Sequence, residues 1–166
     1  MIDEIRNRLS ELRNLYIRAT PSQRFKVAVD RLRYYDSGPN QIIQHVSAVE
    51  GFVRSVAMDF ERKAGTPADQ AYDTLRNIGP VPIITDFISK RLQADPDIMF
   101  GKDDWELFKL AVQYRNFLIH ESSFLRHGYS TLLIGACKKV LYKLADLSEI
   151  KSLLSRCLRI TNGIIH

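Results

Sequence analysis

The chain has 166 residues, 45% hydrophobic and 26% charged, with eight glycines and six prolines. That composition suits one globular domain with a real core, and it argues against both disorder and a loop-rich β-sandwich. Formal net charge is +5, and the excess sits at the ends: residues 1–35 carry eight basic and four acidic side chains, residues 126–166 seven and two, and the stretch between nine and thirteen. Basic ends suit a polyanionic partner such as RNA, although solvated helix faces give the same count.

No apolar run approaches the ~18 residues of a membrane-spanning helix, so no membrane partner is expected. The charges of Asp3, Glu4, Arg6, Arg8, Glu11 and Arg13 are incompatible with a signal peptide. Cys137 and Cys157 lack metal-ligand spacing and read as reduced packing residues, which points to a cytoplasmic protein.

Helical spacing runs through the chain. Ile2, Ile5, Leu9, Leu12 and Tyr16 fall on one face of a first helix, with Arg6, Arg8 and Arg13 away from its centre. Thr20, Pro21 and Gln23 form a capping box with proline at the first helical position. The second helix is therefore expected from about Pro21 to Tyr35, with Phe25, Ala28, Val29 and Leu32 inward, and Asp36-Ser37-Gly38-Pro39 breaks it. A third runs from about Asn40 to Lys63 on a stripe of Ile42, Ile43, Val46, Val49, Val53, Val56, Ala57 and Phe60.

Gly65 closes that helix, and Thr66-Pro67-Ala68-Asp69 opens a short one that stops at Gly79-Pro80. Another spans about Pro82 to Gln93, and Asp95-Pro96-Asp97 with Gly101 brackets a loop of turn formers. Asp103 and Asp104 then favour the start of a long helix reaching about Glu121. Two final helices are expected over about Tyr129–Leu144 and Ser148–Leu158. No alternating strand pattern appears; Val81-Pro82-Ile83-Ile84 comes nearest, and its prolines oppose it. The expectation is an all-α, single helical bundle of about six to eight helices, with residues 1–39 as an N-terminal arm or extension and 40–166 as the main bundle.

Two charges fall where this pattern wants apolar residues. On the long helix the inward stripe is Trp105, Phe108, Ala111, Val112, Leu118 and Ile119, and Arg115 lies at its centre. On the third helix Glu50 lies four after Val46 and three before Val53. Burying either charge alone is costly, so Glu50 and Arg115 are expected to pair in space. A clamp that fixes helix register would use the same pair.

His120 adds chemistry to the segment. Glu106, Lys109, Gln113, Asn116 and His120 make a polar ridge at steps of three and four. Asn116 can touch His120, whereas Arg115 and His120, five residues apart, sit about 140° apart around a straight helix. They converge only if the helix loosens near its end or a second copy shares the site. His45, His127 and His166 read as surface or capping residues.

Arg115-Asn116-Phe117-Leu118-Ile119-His120 resembles the R-x4-H motif of the HEPN superfamily, in the form where asparagine follows the arginine. The resemblance covers about residues 40 to 145. It implies a compact helical bundle with the motif towards the end of a long helix, and an acidic residue on an earlier helix, the place Glu50 occupies. It also implies a homodimer with facing motifs, and a metal-independent endoribonuclease working in a toxin–antitoxin or other defence system under an antitoxin or regulatory protein. Members that have lost catalysis bind nucleotides or proteins instead. Ser122 stands where a subset of these toxins carries a modifiable tyrosine, which puts that mode of regulation in doubt.

The chemistry fits the residues. His120 would take the 2′-hydroxyl proton, Arg115 would neutralise the phosphoryl oxygens, Asn116 would orient His120, and Glu50 would position Arg115. Two alternatives stand beside this: a non-catalytic helical dimerisation or partner-binding domain, and a basic nucleic-acid-binding module built on Phe25, Tyr34, Tyr35 and the arginines at 24, 31 and 33. No glycine-rich phosphate loop, nucleophile elbow or zinc spacing occurs, so no cofactor or metal is expected.

Overall fold

A computed structural model describes residues 1–33, 40–121 and 127–147, leaving aside the side chains of Glu121 and His127. The fold is all-α, and the described residues contain no strand. The elements are α1 (Ile2–Arg18), α2 (Pro21–Arg33), α3 (Asn40–Lys63) and α4 (Ala68–Leu75). A continuous run then follows: α5 (Pro80–Pro82), a π-helical stretch (Ile83–Ile88) and α6 (Ser89–Leu92). The chain continues with α7 (Pro96–Phe100), α8 (Lys102–Glu121) and α9 (His127–Leu147). Several expectations lie outside the described residues: the break at 36–39, Tyr34, Tyr35, Ser122, Cys157, His166 and a helix over Ser148–Leu158.

α3 is the central helix, with α2, α8, α9 and α4 packed around it. Its expected stripe is the core: Val46, Val49, Val53 and Val56 are fully buried. Phe52 joins them, tilted against Phe25 of α2 at 5.3 Å between ring centroids. α8 contributes Phe108 and Ala111, and α9 contributes Cys137, Val140, Leu141 and Leu144. Phe25 and Ala28 place α2 in this same core. Each fully buried aliphatic or aromatic side chain contributes roughly 1.5–3 kcal/mol to stability, so the four helices around α3 hold one another.

The capping box forms as read: Thr20 N–H donates to Gln23 Oε1 at 2.8 Å, and Gln23 N–H donates to Thr20 Oγ1 at 3.3 Å. Other local readings need correction. Thr66 does not cap α4; its hydroxyl donates to Glu61 Oε2 at 3.2 Å, and Pro67 occupies the cap position. Asp95-Pro96-Asp97 is a helix start rather than a loop, because Asp95 Oδ1 accepts from Asp97 N–H at 2.8 Å and Pro96 takes the first turn of α7. The run expected from Pro82 begins at Pro80, whose missing N–H costs nothing at a first helical position.

Two faces also differ. Ile2, Ile5, Leu9 and Leu12 share a face of α1, yet all four are exposed, and α1 is held by its C-terminal half, through Tyr16 and Ile17 and an Arg13–Asp73 ion pair at 2.9 Å to α4. On α8, Ile119 stays 51% exposed while Tyr114 is buried. α8 carries apolar side chains on two faces, one against α3 and one towards α9, so a single stripe was too simple a reading.

Candidate functional site

Glu50 and Arg115 meet. Arg115 Nη1 lies 3.2 Å from Glu50 Oε2, with both side chains about four-fifths buried at the α3–α8 contact. A second arginine, absent from the sequence reading, completes the group. Arg54 Nη2 donates to Glu50 Oε1 at 2.7 Å. Arg54 also donates from Nε to the Leu75 carbonyl at 3.2 Å and from Nη2 to the Ile78 carbonyl at 3.4 Å, so it ties α3 to the end of α4. One carboxylate thus serves two guanidinium groups, one on each oxygen, and the cluster keeps an uncompensated positive charge. Arg115 Nε is buried with no hydrogen-bond partner, so the fold leaves part of that donor fork unused.

Asn116 and His120 stand elsewhere. Both are exposed, and neither has a hydrogen-bond or ion-pair partner among the described residues. α8 is α-helical through Glu121, with no loosened turn between Arg115 and His120. The two side chains therefore project about 140° apart, as regular helix geometry requires. Within one copy Glu50 joins Arg115, Asn116 and His120 share a ridge, and the two halves stay apart.

Beside that ridge lies an apolar groove of about 410 Å³ between α8 and α9, lined by Leu107, Leu110, Tyr114, Phe117, Tyr129 and Leu132 among others. Leu110, Phe117, Tyr129 and Leu132 are exposed. His120 lies one helical step from Phe117, and Gln113, two turns before His120, also lines the groove.

The other histidine placed by the structure, His45, is not the surface residue expected. It is buried on α3, and its Nδ1–H donates to the Gln41 carbonyl at 2.7 Å, one turn back. Burial holds its pKa below the usual value; the Gln41 bond opposes that shift and nearby Lys138 adds to it.

Tyr16 and Arg24 surround the other side of the Glu50 cluster. The Tyr16 hydroxyl donates to the Gly51 carbonyl at 2.7 Å, and the Arg24 guanidinium stacks 4.1 Å over the Tyr16 ring. Burial raises the Tyr16 pKa, against the charges of Arg54 and Arg24. Proximity to both links the Glu50 cluster to the α2 arginines. The sequence signal for Tyr16 was its place on the α1 stripe, which marked it as apolar packing only.

Among the described residues, no group of three or more His, Cys, Asp or Glu is placed to hold a metal ion, and no helix is long and apolar enough to cross a membrane. Comparison with protein-family models, curated proteins and solved structures gives no match.

Proposed function

We propose that the chain is a metal-independent endoribonuclease of HEPN type, active as a homodimer in a toxin–antitoxin or other defence setting. One observation carries the reading: the Glu50–Arg115 pair at 3.2 Å holds a guanidinium on the helix whose next turns present Asn116 and His120 to solvent. A structural clamp alone gives no reason for an amide and an imidazole on that ridge. The apolar groove beside His120 supports a second copy docking on that face of α8, and the reading requires that copy to bring its own Arg115 to this His120.

In such a shared site His120 accepts the proton of a ribose 2′-hydroxyl as its oxygen attacks the adjacent phosphorus. The bond from phosphorus to the 5′-oxygen breaks, and the imidazolium returns the proton to that oxygen. Arg115 neutralises the charge that grows on the phosphoryl oxygens, a task suited to a planar fork that keeps its proton. Asn116 orients His120, and Glu50 positions Arg115. The products are a 2′,3′-cyclic phosphate end and a 5′-hydroxyl end.

The test is cleavage of single-stranded RNA in the presence of chelator, with His120→Ala and Arg115→Ala proteins alongside. Each substitution is expected to lower the rate by about 10²- to 10⁴-fold. Equal cleavage by all three would assign the activity to a contaminant and remove the reading.

A specific observation favours one other reading. His120 has no polar partner within the described chain. A helical dimerisation domain that uses the α8–α9 groove without chemistry would look the same in one copy. Dimeric protein with no cleavage of any RNA would select it.

A further inference from the structure

A second, smaller cleft lies where α1 and α2 meet α3. It encloses about 120 Å³ and is lined by Tyr16, Arg24, Arg31, Ser47, Gly51 and Phe52 among others. Arg24 and Arg31 are seven residues apart on α2, two turns along one face. Arg31 has no hydrogen-bond or ion-pair partner among the described residues, and Arg24 has only the Tyr16 ring. Arg24 Nε is buried and unpartnered. Among the described residues, no carboxylate lines the cleft. The neighbouring acid, Asp30, pairs with Arg33 at 3.7 Å.

Two guanidinium groups that face one small cavity without a counter-charge repel each other. Burial, with Arg31 adding to it and Tyr16 opposing, lowers the Arg24 pKa. An anion in the cleft removes that penalty and satisfies the orphaned donor. The space holds several waters or one tetrahedral oxyanion, and it is too small for a base and its sugar. We propose that this cleft binds a phosphate group, with Arg24 and Arg31 donating to its oxygens and Ser47 supplying a further hydroxyl donor. The group belongs to an RNA backbone or to a nucleotide. Tyr16, which lines the cleft and lies near Arg54, connects it to the Glu50–Arg54–Arg115 cluster. Binding here does not require that the chain cleave RNA.

The experiment follows the arginine Nε–H resonances of the full chain while inorganic phosphate, a nucleoside 5′-monophosphate or a short single-stranded RNA is added, with His120→Ala protein for the RNA arm. Phosphate is expected to shift the Arg24 Nε–H and raise the melting temperature. Arg31→Gln, at an exposed residue without polar partners among the described residues, is expected to fold normally and weaken phosphate binding by about tenfold. Arg33→Gln, on the same helix, should leave it unchanged. Competition by RNA identifies a backbone phosphate as the source; competition by the mononucleotide alone identifies a nucleotide. An unmoved Arg24 resonance at high phosphate, or equal binding by the Arg31→Gln protein, would overturn the proposal. Loss of cleavage in the His120→Ala protein with phosphate binding intact separates this site from the catalytic one.

Discussion

Glu50 carries more of the local electrostatics than any other single residue. Its two oxygens are engaged by Arg54 at 2.7 Å and Arg115 at 3.2 Å. Removing it leaves two largely buried guanidinium groups without a counter-ion, whereas removing Arg115 leaves Glu50 still paired with Arg54. Glu50→Ala is therefore expected to lower stability by about 2–3 kcal/mol, and Arg115→Ala by about 1 kcal/mol. Urea unfolding of the two proteins measures the difference; equal losses would show that Arg54 does not hold the carboxylate. The pairing of Glu50 with Arg115 was legible because each charge interrupts an apolar stripe. Arg54 was not. It lies on the flank of the α3 stripe, where an arginine reads as solvated, and its backbone acceptors at Leu75 and Ile78 come together with it only through the tertiary fold.

Most helices followed from periodicity, but not α7, read as a loop, nor the π-helical stretch at Ile83–Ile88, and the ends that proved right have local causes, such as the Thr20–Gln23 box. What periodicity lacks is knowledge of neighbours. α1 shows the same apolar spacing as α3, yet Ile2, Ile5, Leu9 and Leu12 stay exposed. His45 shows the opposite error, a polar residue buried on α3 with its Nδ1–H satisfied one turn back on its own helix and its Nε2 without a partner among the described residues. This burial has a pH consequence. A histidine whose folded pKa lies below its unfolded value of 6.5 binds more protons when unfolded, so its contribution to stability is complete above pH 6.5 and is lost as pH falls through that value towards the lowered one. His45→Leu protein is expected to show a flatter stability profile over that window than the parent chain. Parallel profiles would mean that His45 titrates normally in the fold.

At the scale of the whole molecule, the bundle separates its chemistry into two halves. α3 and α8 hold Arg115 against Glu50 on the inside, and the opposite ridge of α8 shows Asn116 and His120 to solvent beside an apolar groove. No adjustment inside a regular helix unites them, so a site that uses both arginine and histidine needs two chains. The sequence raised that condition through the five-residue spacing, but it carried no signal for the groove, whose lining comes from two helices and from a second apolar face of α8. A shared site makes a sharp demand. On that proposal Arg115→Ala and His120→Ala proteins are each expected to be nearly inactive alone and, when unfolded together and refolded, to form mixed dimers in which one of the two sites is intact. The account predicts that RNA cleavage returns in the mixture to about a quarter of the parent rate, the share expected for random pairing in a symmetric dimer. A mixture of demonstrated heterodimers that stays as inactive as its parts would contradict it.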